Sequence, residues 1–164
     1  EEVQVRAEAR MDRMEKRMDQ MAQDLGELKG DSLERRYREH ATAYFSPLVR
    51  RVHVFLGEEL MTMLEEAMAQ GLLLEEEVDD VALADLVVRG RQRDGAQVYL
   101  IVEVSWVVKD SDVERVQRRA SFLAKSGTPT LAVVAGRDIS RRAAKLCRQM
   151  NVWQLIDGRS FSPA

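Results

Sequence analysis

At 164 residues the chain can bury one ordinary hydrophobic core and still carry an appendage. A formal net charge of -3 with 32% charged residues excludes a globally basic nucleic-acid binder and leaves the doublets Arg50-Arg51, Arg118-Arg119 and Arg141-Arg142 to act only locally. One cysteine, Cys147, excludes an internal disulfide, suggests a reducing compartment, and reads as part of a packed helix face. No run of about 18 apolar residues and no signal-peptide pattern occurs, so the expected location is the cytoplasm, although a start at Glu1-Glu2 without Met leaves a leader open.

In chain order, Met11, Met14, Met18, Met21, Leu25 and Leu28 keep strict three-four spacing between charged and amide residues. That is an a/d heptad seam, too narrow to bury itself on a lone helix. Self-association is the expected consequence, most simply a parallel dimer, with a helix folded back on its own domain as the alternative. Methionine lacks the branched shape that fixes strand number, so oligomer number and orientation stay open. Gly30, followed by Asp31-Ser32, is expected to end this segment. The chain therefore divides into a coiled-coil helix over 1–30 and a domain over 31–164.

Within the domain, Leu33, Tyr37, Ala41, Tyr44 and Leu48 trace one side of a helix, and residues 51–55 alternate like a short strand. Residues 57–70 are helical with Gly71 as C-cap, and 75–81 form a second short helix, making a helical insertion at about 57–81. Two apolar strands follow, 84–88 and 98–106, joined by a turn whose Asp94-Gly95 suits a hairpin. Ser111 and Glu114 form a capping box for a helix to about Lys125, Thr128-Pro129 breaks it, and 130–135 is a buried strand. A helix over 138–150 and a closing strand over 152–156 complete the order. The fold class is α/β, a mixed sheet flanked by helices and preceded by the coiled-coil helix.

The strand Val98-Tyr99-Leu100-Ile101-Val102-Glu103-Val104-Ser105-Trp106 is a buried run with one carboxylate set into it, and a buried charge needs a partner. A hairpin tip centred near Asp94 places Asp85 directly across the ladder from Glu103 on the same face, with Cβ atoms about 4.5–5.5 Å apart. A divalent cation between them would turn repulsion into a binding site. Two other readings stand beside this one. Nearby arginines could neutralise the pair, or a one-residue slip could send one carboxylate to solvent.

Taken together, Asp85-Leu86-Val87-Val88, Glu103-Val104-Ser105 and the order of elements resemble the PD-(D/E)XK nuclease superfamily, over roughly residues 32–158. Behind a heptad leader, they look like prokaryotic nuclease-like proteins with N-terminal coiled coils. The resemblance implies a restriction-endonuclease-like core that binds Mg²⁺ or Mn²⁺ through Asp85, Glu103 and the backbone carbonyl of Val104. A first-helix glutamate often joins such a set, for which Glu34 is the nearest candidate and Glu39 the next. It implies cleavage of DNA by metal-assisted phosphodiester hydrolysis. The third-strand motif should carry a lysine two residues after the acid, and Ser105 stands there instead. Lys109 shares the parity of Glu103 but lies about 20 Å along a straight strand. Gln117, placed on the sheet-facing side of the following helix, is the expected substitute, with Arg119 on its flank. His53 has no partner of metal-ligating type nearby in sequence. A catalytically inactive nuclease-like scaffold, or a nucleic-acid-binding adaptor, is the alternative to an enzyme.

Overall fold

The computed structural model describes residues 1–164 as six helices and one six-stranded sheet. The helices are α1 (Glu2–Glu39), α2 (Ala41–Phe45), α3 (Gly57–Ala69), α4 (Glu75–Ala82), α5 (Asp110–Ala124) and α6 (Arg141–Met150). The strands are β1 (Arg50–Val54), β2 (Leu86–Arg91), β3 (Gln97–Val108), β4 (Thr130–Ile139), β5 (Val152–Ile156) and β6 (Arg159–Phe161), lying side by side in chain order. β1, β2 and β3 form an antiparallel meander; β3, β4 and β5 run parallel through α5 and α6; β6 returns antiparallel on β5. The architecture is the expected α/β mixed sheet flanked by helices.

Alternation along β3 sorts the core into two layers, because successive strand side chains point to opposite faces. Val98, Leu100 and Val102 meet Leu33, Tyr37 and Phe45 of α1 and α2 on one face. Tyr99 and Ile101 meet residues of α3 through α6, such as Leu64, Val81, Val116 and Ala143, on the other. Glu103 and Ser105 have the parity of the second layer.

Gly30 does not end the first helix. α1 runs unbroken to Glu39, so the coiled-coil and domain segments share one helix rather than meeting at residue 30. A helix interior accepts glycine at a cost of about 1 kcal/mol. A Cβ on Gly30 would lie 3.9 Å from the Trp106 backbone nitrogen, an ordinary van der Waals distance, so α1 crosses β3 closely here without the crossing requiring glycine. Every residue before Leu25 is exposed, as are all six residues of the Met/Leu seam. Gly26, Gly30, Leu33 and Tyr37 lie on the side of α1 that meets the domain, so the seam faces away from it. No helix is long and apolar enough to cross a membrane.

Two local expectations are corrected. α5 starts at Asp110, and its cap is the Asp112 carboxylate accepting the Lys109 N–H at 2.9 Å, not a Ser111/Glu114 box. The chain also does not stop at β5, since Asp157 (φ 51) and Gly158 (φ 77) make a two-residue hairpin turn into β6.

Candidate functional site

The hairpin has the register that a tip near Asp94 dictates: Leu86 lies opposite Val102 and Val88 opposite Leu100. One step further brings Asp85, at the head of β2, opposite Glu103. β3 continues to Val108 after its pairing with β2 ends, leaving the edge of its second half free on that side. Asp85 uses this freedom. Its Oδ2 accepts the Val104 N–H at 2.7 Å in place of a backbone partner. Since a strand residue's N–H and C=O point to the same edge, the Val104 carbonyl is directed to that open edge as well.

Glu103 is buried, at 4% exposure, and Asp85 is half-buried beside it. Burial, then the charge of Asp85, pushes the Glu103 carboxyl up to about 8, against the pull of Arg119. A hydrogen bond with the Asp85 carboxyl also favours the protonated form. Arg119, itself only 6% exposed, donates through Nη1 to Glu103 Oε1 and through Nε to Asp80 Oδ1 at 3.3 Å. Arg118 grips the same Asp80 with two hydrogen bonds of 2.9 and 3.2 Å. These arginines hold the Asp80 carboxyl below its ordinary range, Arg118 most strongly. A chain of alternating charge thus runs from the surface inward through Arg118, Asp80 and Arg119 to Glu103.

Glu34 reaches the pair from α1. Burial, then the Asp85 charge, raises its carboxyl above the usual value, while Arg38 opposes the shift through a 2.6 Å hydrogen bond. The same Arg38 donates to the Asp85 backbone oxygen at 3.4 Å. Gly30, Glu34, Asp85, Ser105, Lys109 and Asp112 line one groove of about 580 Å³ between α1 and the free edge of β3. Lys109 therefore comes to the groove although strand spacing alone put it out of range; it lies at the turn between β3 and α5. Ser105 faces the groove without a charge to offer. Glu39 is exposed.

Gln117 is not brought to the pair. It lines a separate hollow with Ser121, Ala124, Met150 and Asn151. The α5 residue that meets Glu103 is Arg119, two positions on. The signal for it was present: Asp112, Val113, Val116, Arg119, Ala120 and Leu123 are all buried and make one helical face. His53 is a surface partner of Glu59 at 2.6 Å. Cys147 is fully buried with its thiol pushed up to about 11, so it is not poised as a nucleophile.

No three His, Cys, Asp or Glu side chains gather closely enough to form a metal-holding cluster. The donor set around Asp85 and Glu103 nevertheless has the chemistry a hard cation takes. Asp85 gives Oδ2 to Val104, and Glu103 gives Oε1 to Arg119, so the two carboxyls turn their remaining oxygens toward each other, where a proton is shared between them and a cation would have to replace it. The Val104 carbonyl adds a third oxygen at the open edge. The chain matches no protein-family model, no curated protein and no solved structure.

Proposed function

We propose that the domain is a metal-dependent phosphodiesterase of the PD-(D/E)XK type acting on DNA, with a restriction-endonuclease-like core. The observation that carries this reading is the facing of Asp85 and Glu103 at the open end of the β2–β3 ladder, where their remaining oxygens meet and share a proton that a cation could displace. Mg²⁺ or Mn²⁺ held by Asp85, Glu103 and the Val104 carbonyl would supply a lowered pKa for water and charge stabilisation at phosphorus. Glu34, on the far wall of the groove, is placed to accept a hydrogen bond from water entering it. Arg119 fixes the Glu103 carboxylate so that its second oxygen faces Asp85, and its guanidinium, which never deprotonates, can orient but cannot serve as base. Lys109, which lines the same groove, is the residue assigned the role that Ser105 cannot fill.

The Arg119–Glu103 contact also favours a second reading. An internal cation that neutralises Glu103 would let the fold persist with no metal and no turnover, as a scaffold or nucleic-acid-binding adaptor. In either case the free Met/Leu seam of α1 is read as a self-association surface. Light scattering should give a multiple of the 18.7 kDa chain mass, and a lone monomer at tens of micromolar would defeat that part.

Cleavage of single-stranded, duplex and branched DNA with Mn²⁺ or Mg²⁺ decides between enzyme and scaffold. Wild type should cut and Asp85→Asn should lose on the order of 10³-fold, the scale of removing a preorganised electrostatic group. Lys109→Ala should lose less, and absence of cleavage by wild type on every substrate selects the scaffold.

A further inference from the structure

Arginines collect at the other end of the β2–β3 hairpin. The β1–β2 ladder sets Arg50 directly opposite Arg91 and His53 opposite Arg89, and the register shifts between these pairs where Arg51 adopts φ 53. Like charges directly opposite across a ladder destabilise a sheet. A non-glycine residue in the left-handed region adds strain at the same point. The sequence thus accepts two local costs to assemble this group of cations.

Nothing in the protein neutralises them. None of Arg50, Arg51, Arg89 and Arg91 forms an ion pair, whereas Arg38, Arg115, Arg118, Arg119, Arg137 and Arg142 all do. Arg51, Arg89, Gly90, Arg91 and Gln97 line a hollow of about 320 Å³ that contains no acidic and no apolar residue. Two of the guanidinium groups are steered: Arg91 Nη1 donates to the Gly95 carbonyl at 2.8 Å, and Arg89 sits over the Phe55 ring at 5.7 Å. On a chain of net charge -3 this is a concentrated positive field rather than a general one.

We infer that the arginine hollow binds the phosphodiester backbone of the nucleic acid whose scissile bond would lie at Asp85 and Glu103. The arginines are exposed and spread over two strands, an open arrangement that tracks a polyanion and cannot enclose a small ion. Arg89 and Arg91 share the parity of Asp85 along β2, about 13 and 20 Å further on, and since Val87, between Asp85 and Arg89, is buried under α3, a bound strand would pass over that helix layer to join the two sites. With a phosphate every 3.4 Å or so of helix axis on each strand, that distance covers about four to six phosphates. Arg51 and Gln97 widen the contact across the neighbouring strands. This assignment rests on the proposed function for the identity of the ligand, and its contacts carry position rather than sequence.

The test is fluorescence anisotropy with a labelled 20-base-pair DNA duplex in EDTA, so that binding is read without cleavage, over a series of salt concentrations. Wild type should bind with an affinity that falls steeply with salt. Arg51→Gln/Arg89→Gln/Arg91→Gln should bind at least 10-fold more weakly, with the slope of log affinity against log salt reduced by about 2 to 3. Arg13→Gln/Arg137→Gln/Arg142→Gln, with the same change in net charge, should stay within about 3-fold of wild type. Equal losses in the two triple variants, no loss in the first, or no binding by wild type would overturn the inference, as would binding to phosphatidylglycerol vesicles without binding to DNA. Phenylglyoxal modification of the wild-type protein needs no variant to fold. DNA should protect Arg51, Arg89 and Arg91, and protection of Arg137 and Arg142 instead would refute the site. Binding without cleavage would remove the catalytic reading and keep this one; cleavage with unaltered binding in the first triple variant would do the reverse.

Discussion

Asp85 and Glu103 face each other at one end of the meander, and Arg50 and Arg91 face each other near the other end. The acidic pair is sunk into the sheet, with Arg119 and the Val104 N–H folded in to meet it. The basic pair lies at the surface with no counter-charge from the chain. The difference follows from solvent. A buried charge without a partner costs several kcal/mol, so the fold has to supply one, whereas water and salt screen exposed charges well enough to leave their field free for an external anion. Internal partners thus mark where the protein solved an electrostatic problem by itself, and their absence marks where it left the solution to something it meets.

Removing the internal partner is the strongest way to break this comparison. At pH 9, where Glu103 is ionised, Arg119→Met should destabilise the protein by about 3–5 kcal/mol in urea unfolding, because a buried charge is left alone beside Asp85. At pH 6 a proton can replace the guanidinium and the cost should fall to about 1 kcal/mol, on the scale of a single hydrogen bond. A loss that does not change between the two pH values would mean that Arg119 acts through packing.

The next effect is the titration itself. The Glu103 carboxyl is raised from 4.5 to about 8 in the folded protein, so the folded state holds a proton that the unfolded chain has released. Its contribution to stability is therefore greatest below pH 4.5 and is lost as pH rises toward 8, by on the order of a few kcal/mol. In metal-free buffer wild type should lose stability across that window relative to Glu103→Gln, and parallel curves for the two would refute the shift. Mn²⁺ should flatten the wild-type curve, since it takes the place of the shared proton.

The smallest effect belongs to the surface pair. Arg50→Gln should raise stability by roughly 0.2–1 kcal/mol by removing the charge opposite Arg91 without touching the hydrogen bond from Arg91 to Gly95. The gain should vanish in 1 M salt, where the screening length is about 3 Å. If it persists there, the repulsion was never the reason.

Much of this was legible in the sequence because it depends on local signals. The Asp94-Gly95 turn fixes the hairpin register, and the register fixes the meeting of Asp85 and Glu103. The helix pair over 57–81 and its Gly71 terminator follow from periodicity and from the positive φ that glycine accepts. What escaped depends on tertiary contact. Gly30 reads as a stop because glycine often is one, yet α1 runs through it to pack against β3, a partner far along the chain. Gln117 reads as sheet-facing from the spacing of Val113, Val116, Ala120 and Ala124, with Arg119 on the flank, and only the buried acid across the layer shows why Arg119 is the one that points inward. β6 escaped although Asp157-Gly158 is a strong hairpin signal, since its strand is three residues long and exposed throughout.

The unbroken course of α1 makes the seam and the groove parts of one shaft. Leu25 and Leu28 on its outer side and Gly30 and Glu34 on its inner side are locked at a fixed rotation about the helix axis. Whatever grips the seam is thereby indexed to the groove in angle and height. One residue inserted after Leu25 would turn the preceding seam residues by about 100° about the axis and break their line with Leu28, while seven would carry them about 10.5 Å outward and leave their heading almost unchanged.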